Sequence, residues 1–205
     1  VAYDGVKSTG PYAVVAGNTI TNFCQTMTDG GGVYLSWRSS TGSRVDSNTI
    51  RTDSVPRPET GTYLDIVAGV YLDEASHEDT VRSNLVQGGG RGVFLHNARG
   101  NVVTDNIILG YGHHGIAMEQ DGGAPDSLRD NRVQRNRVAA SGNSLVRLKK
   151  TSSWSSPGII DANIYGIHRD LARFERDDLA RNRWVAIPWS EWRLEGFDEG
   201  STFDP

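Results

Sequence analysis

One short pattern returns along this chain and limits what it can fold into. It runs small or polar residue, any residue, Val, two further residues, Asn, any residue, then Ile or Val. It reads AVVAGNTI at Asn18, SRVDSNTI at Asn48, DTVRSNLV at Asn84, NVVTDNII at Asn106 and NRVQRNRV at Asn136. A second pattern follows each copy: GVYLS, GVYLD, GVFLH, GIAME and LVRLK, whose first apolar residues after the opening position are Val33, Val70, Val93, Ile116 and Val146. Both alternate with period 2 and so read as strands. A repeat of roughly 22–30 residues built from short strands and small turns is a solenoid signature. The leucine-dense consensus of leucine-rich repeats is absent. The expected fold is therefore all-β, a right-handed parallel β-helix of about five coils. Each strand lies about 4.8 Å above the last, Val, Ile and Leu stack inside, and the asparagines form a ladder at a turn.

Composition narrows the functional classes. Lys plus Arg is 21 against 25 for Asp plus Glu, a net charge of −4, which argues against a nucleic-acid partner. Cys24 is the only cysteine, so neither an internal disulfide nor a cysteine-built zinc site is available. No apolar run reaches the roughly 18 residues of a membrane span. The chain opens at Val1 without a visible signal peptide, as it would if processing or truncation had removed one. Glycine, 24 of 205 residues, exceeds the usual share of about 7% and implies many turns.

The segments GVYLDEAS (69–76), GVFLHNARGNVVTDNII (92–108) and GFDEGSTFDP (196–205) resemble the right-handed β-helix family that includes pectate-lyase-like folds and several glycosidase families. The resemblance implies a carbohydrate-active protein, an extracellular or periplasmic location, and a polysaccharide or oligosaccharide partner. It is specific for fold and weaker for chemistry, since one solenoid hosts many reactions. The tail resembles a segment that continues in relatives, so a fragment with neighbouring segments or self-association at the solenoid ends is expected.

Two regions are expected: a β-helix over 1–150 and a capping flank over 151–205. Trp154, Trp184, Trp189 and Trp192 lie in the flank, where HRDLARFERDDLARN (168–182) and PWSEWRL (188–194) read as short helices. The flank covers the last coils, and one tryptophan could instead stack on a sugar. Three inserts, NFCQTMTDGG, RTDSVPRPETGTYLDIVA and QDGGAPDSLRD, abut the GVxL strands. Solenoid inserts go to loops, often on the binding face.

Alternation leaves two outward columns on that face. One holds Tyr34, Tyr71, Phe94, Ala117 and Arg147; the other holds Ser36, Asp73, His96, Glu119 and Lys149. Such a face can simply be solvated. Read as a site, it is an open groove bordered by 51–68 and 120–130, with Asp73, His96 and Glu119 as catalytic residues and Tyr71, Phe94, Arg147 and Lys149 binding substrate. Two carboxyl groups suit glycoside hydrolysis, and His96 between them could orient one or act as base. A lyase or epimerase would use His96 or Lys149 as base and Arg147 or Arg99 against a uronate carboxylate. A non-catalytic glycan-binding or structural β-helix is the third reading. No cofactor and no metal are expected: Asp73 and Glu74 are the nearest approach to a metal cluster, and neighbouring strand residues point to opposite faces unless a turn begins there. His77, His113 and His114 read as turn residues, QGGGRG (87–92) as a turn between coils, and Cys24 has no evident catalytic partner.

Overall fold

The computed structural model describes residues 3–27, 29–37, 40–53, 66–121, 127–139, 143–149, 156–178 and 183–204. The chain winds as a parallel β-helix of three sheets. The first sheet stacks Val6–Ser8, Gly30–Ser36, Val67–Asp73, Arg91–His96, His114–Glu119, Ser144–Lys149 and Phe174–Asp178, with Arg183–Ile187 folding back at its end. The GVxL strands pair in parallel as expected, with Val33 beside Val70, Val70 beside Val93, Val93 beside Ile116 and Ile116 beside Val146. The Asn-bearing repeats supply the other two sheets, of six and seven strands, on either side of a tight corner.

Each corner explains its asparagine. Gly17, Ser47, Ser83, Asp105, Arg135 and Ala162 all have positive φ, so the chain turns there and leaves backbone groups that the sheets do not pair. The following Asn satisfies them. Asn106 donates its backbone N–H and Nδ2 to Asn136 Oδ1 (3.1 and 2.9 Å) and Nδ2 also to Val81 O (3.0 Å). Its own Oδ1 accepts from Asn84 N and Nδ2 (3.0 and 2.9 Å). The same bonds link Asn18, Asn48, Asn84, Asn106, Asn136 and Asn163.

The glycine of the GVxL motif has a packing cause. A Cβ on Gly69 or Gly92 would stand 2.2 Å from a methyl of Val86 or Ile108. Glycine and the following Val therefore both face inward, against the period-2 rule, and the residue before the glycine returns to the outer face. Arg91 and His114 occupy that position.

The solenoid does not stop at 150. Gly158–Asp161 pairs with Asn131–Gln134, Ile164–Tyr165 with Arg137–Ala139, and Phe174 stands beside Val146. The helix expected over 168–182 is replaced among the described residues by a 3-10 turn, Arg169–Leu171, and the Phe174–Asp178 strand. Burying Phe174 in the stack outweighs local helix preference. The second expected helix forms at Trp189–Leu194. Trp189 and Trp192 are buried in the core, Trp192 stacked on Phe174 and Trp189 edge-on to Phe203. The ladder ends there too: Asn163 donates Nδ2 to Asp198 Oδ1 (3.2 Å), whose other oxygen accepts from Tyr165 OH (2.8 Å) and Trp192 Nε1 (2.7 Å).

A second ladder runs through Asp79, Asn101 and Asn131. Ser43 N–H donates to Asp79 Oδ1 (2.8 Å), and Asp79 N–H donates to Asn101 Oδ1 (2.9 Å). Asp79 is buried, and burial pushes its carboxyl up to about 6 against the hydrogen bonds from Ser43 and Ser40. A raised carboxyl stabilises the fold most below its unfolded value near 4, and that contribution is lost as pH rises through about 6. Asp79→Asn keeps the Ser43 bond and removes the buried charge. It is expected to stabilise the fold by about 2 kcal/mol at pH 7 and to flatten the stability profile between about pH 4 and 6. Urea melts across that range check it.

Candidate functional site

The outer face of the first sheet is covered, not open. Tyr34, Ala68, Tyr71, Phe94 and Ala117 form a second buried apolar cluster on it. Tyr71 stacks on Phe94 with ring centroids 4.5 Å apart, and Phe94 stacks on His96 at 5.5 Å. Neither ring offers the free sugar-stacking surface expected from sequence. Most of 51–68, and residues 122–126 within 120–130, the two segments expected to border a groove, lie outside the described residues.

Asp73, His96 and Glu119 follow one another along the outer column, with Glu119 directly beside His96. The structure joins the first two and separates the third. His96 Nδ1 lies 2.6 Å from Asp73 Oδ1, and Tyr34 OH donates to Asp73 Oδ2 (2.5 Å). Glu119 turns instead to two arginines, with Arg91 Nη2 and Arg147 Nε each 3.2 Å from Oε1. Asp73 and Glu119 are each only 5% exposed, so neither stands on a freely solvated face.

Two residues complete the His96 site that alternation did not assign to it. Asp73 is the last residue of its strand, and Glu74 and Ala75 follow with positive φ. A turn does begin there, and it carries the Glu74 carboxylate to the same side, 3.9 Å from His96 Nδ1. On the other ring edge, Asp121 Oδ1 lies 2.6 Å from His96 Nε2, and Lys149 Nζ donates to Asp121 Oδ2 (3.1 Å). Asp121 comes from the start of the third insert, two residues beyond Glu119. This rim reaches solvent: the side chains of Glu74 and Asp121 are 55% and 48% exposed.

Burial disfavours charge on His96, but hydrogen bonds to Asp121 and Asp73 outweigh it and raise the imidazole to about 10. At neutral pH both ring N–H groups donate, and His96 is not a ready base. The bond from His96, helped by its charge and by Lys149, holds Asp121 well below the usual carboxylate range. Asp73, Glu74 and His96 each bring one donor atom within 4.8 Å of the others, a set able to hold a metal ion. The sequence-based expectation of no metal cluster rested on Glu74 facing away, which the turn reverses.

Arg147 belongs to a separate buried network. Its Nη1 donates to His114 Nε2 (2.8 Å), and His114 Nδ1 lies 2.9 Å from Ser144 Oγ. Burial, then the charges of Arg147 and Arg91, pushes His114 down to about 2, so it stays neutral. His114 is thus a buried network member and not a turn residue. Trp184, 37% exposed, lies over the Arg147 guanidinium, 3.3 Å from ring centroid to Cζ. Cys24 is buried in the core, where burial raises its thiol to about 12.

The profile of one family, described as periplasmic copper-binding protein (NosD), matches residues 6–169. No curated protein and no solved structure matches the chain. The family is periplasmic, in line with the location expected from the sequence, and no described helix is long and apolar enough to cross a membrane. The resemblance read from sequence holds for the β-helix, while its carbohydrate-active part has no counterpart in the family's description. The matched span takes in the Asn ladder, the GVxL strands and the whole His96 site, and the chain belongs to the NosD family.

Proposed function

We propose that this protein is a binding β-helix of the periplasm that holds a divalent cation, Cu(II) foremost, at Asp73, Glu74 and His96. The observation that carries this reading is the convergence of one imidazole nitrogen and two carboxylate oxygens at the solvent-reaching end of a rigid strand. One nitrogen with oxygens suits Cu(II), and such sites bind it more tightly than Zn(II) or Ni(II). Cu(I) wants soft sulfur, and this donor set of one imidazole and two carboxylates contains none. The carboxylates that now hold an imidazolium proton would hold a dication in its place. Three protein donors leave room for water or for a partner's ligand, as suits a protein that takes up and passes on a metal.

Calorimetric titration with Cu(II), Zn(II) and Ni(II), alongside electron paramagnetic resonance of the Cu(II) form, tests the proposal. One Cu(II) per chain with coupling to a single nitrogen is expected. His96→Ala should weaken binding by more than about 100-fold, beyond what loss of an outer-shell partner costs. Equal binding by wild type and His96→Ala would sink the reading.

A second reading keeps the polysaccharide partner. Asp73 and His96 in direct contact are an acid–base pair, and a protonated His96 could serve as the acid of a hydrolase, or could set up a lyase or epimerase acting on a uronate. Glu119, tied to two arginines, is poorly placed to exchange protons in such a scheme. The same variants on a glycan panel, read for new reducing ends and for unsaturated uronate, separate the two readings. Turnover lost in Asp73→Asn favours the enzyme, and intact polymers with bound Cu(II) favour the binder.

A further inference from the structure

We infer that Asp121, steadied by Lys149 and Asn97, is the positioning residue of the His96 site: it keeps the proton on Nε2, so that Nδ1 is the nitrogen turned toward Asp73 and Glu74. This role rests on the metal reading above, and it assigns work to a residue outside the donor set. The geometry is specific. Asp121 Oδ1 meets His96 Nε2 at 2.6 Å while Asp73 Oδ1 meets Nδ1 at 2.6 Å, so the two ring nitrogens face different carboxylates. Among the described residues, only the Nδ1 side has a second acid, Glu74, within 3.9 Å.

Asp121 is itself fixed. Its second oxygen accepts from Lys149 Nζ, and its backbone N–H donates to Asn97 Oδ1 (3.1 Å). Asn97 is the residue after His96, and its Oδ1 also takes Ser127 Oγ (3.1 Å). The histidine strand and the insert that carries Asp121 are thereby locked together. Phe94 stacked on the imidazole fixes the ring plane from below. A histidine ligand whose other N–H is held by a carboxylate is oriented and made more basic, and loss of such a partner costs about 10–100-fold in metal affinity. Lys149 also supplies a positive charge that a second cation on the Asp121 side would have to oppose, which restricts loading to the Nδ1 side.

The test uses Cu(II) itself and nitrogen NMR of His96. In metal-free wild type, Nε2 should show a strongly hydrogen-bonded proton, and in Asp121→Asn that signal should shift. Asp121→Asn should weaken Cu(II) binding by about 10–100-fold, with single-nitrogen coupling retained because Nδ1 still binds. Asp121→Glu should recover part of the loss. Wild-type binding with an unchanged Asp121→Asn affinity and an unchanged Nε2 signal overturns the positioning role alone. A wild type that binds no Cu(II) overturns both the role and the reading beneath it. A weakened Asp121→Asn that also loses nitrogen coupling shows Nε2 to be the binding nitrogen, and overturns the assignment of Nδ1.

Discussion

Asn106→Ala is expected to cost about 3–5 kcal/mol, an amount usually reserved for core cavities. The side chain is buried in the middle of the ladder, where it accepts two hydrogen bonds from Asn84 and donates to Val81 O and Asn136 Oδ1. Alanine removes all four at once. The Asn84 N–H and the Val81 carbonyl then lose this partner at a buried corner. Each stranded buried group costs roughly 1–3 kcal/mol. Aspartate is no substitute, because it cannot donate to Val81 O and would carry a buried charge. Asn18→Ala is the control: its amide is exposed and accepts from no preceding Asn among the described residues, so its loss should cost about 1 kcal/mol. Equal midpoints for the two variants in urea unfolding would refute a load-sharing ladder. Sheet pairing would then carry the corners by itself.

The ladder was legible because asparagine recurs at one place in a period-2 pattern, and so was the register of Val33, Val70, Val93, Ile116 and Val146. Asn163 was also within reach, since GIIDANIY repeats the pattern, but no GVxL strand follows it. Its coil closes instead through Phe174, in a stretch whose charges read as helical. Alternation says which side a residue faces and not whether that side is covered, so Tyr71, Phe94, Asp73 and Glu119 were placed on the right face and given the wrong environment. The partner of Glu119 was hidden for a related reason. Arg91 shares its face only because Gly92 and Val93 both turn inward, a departure forced by Ile108 packing against the glycine. The His96 site was half legible. Asp73 and His96 follow from the register. Glu74 depends on a left-handed turn after the strand, and Asp121 on the path of the chain just beyond Glu119, neither of which a strand period encodes.

Val93→Asp is expected to cost at least about 4 kcal/mol and to leave little soluble protein. Val93 is 0% exposed and sits between Val70 and Ile116 in the inner stack. A carboxylate there would lie within the apolar core cluster, shut off from solvent. Its strand also carries His96, so the register that brings His96 to Asp73 would go with it. The fitting contrast is Ile107→Asp. Ile107 is 43% exposed while its neighbour Ile108 is 0% exposed, so the change should move stability by less than about 1 kcal/mol and leave Cu(II) affinity at the wild-type value. Both substitutions replace a β-branched residue in a strand of the same solenoid with the same charge, so composition and strand propensity are nearly matched. The difference between them measures orientation alone, because a one-residue slip exchanges the two faces of a strand. Soluble yield and thermal melting of the pair decide it. Comparable damage from both would mean that the Ile107 face is also packed, and a tolerated Val93→Asp would mean that the inner stack is not the core of this molecule.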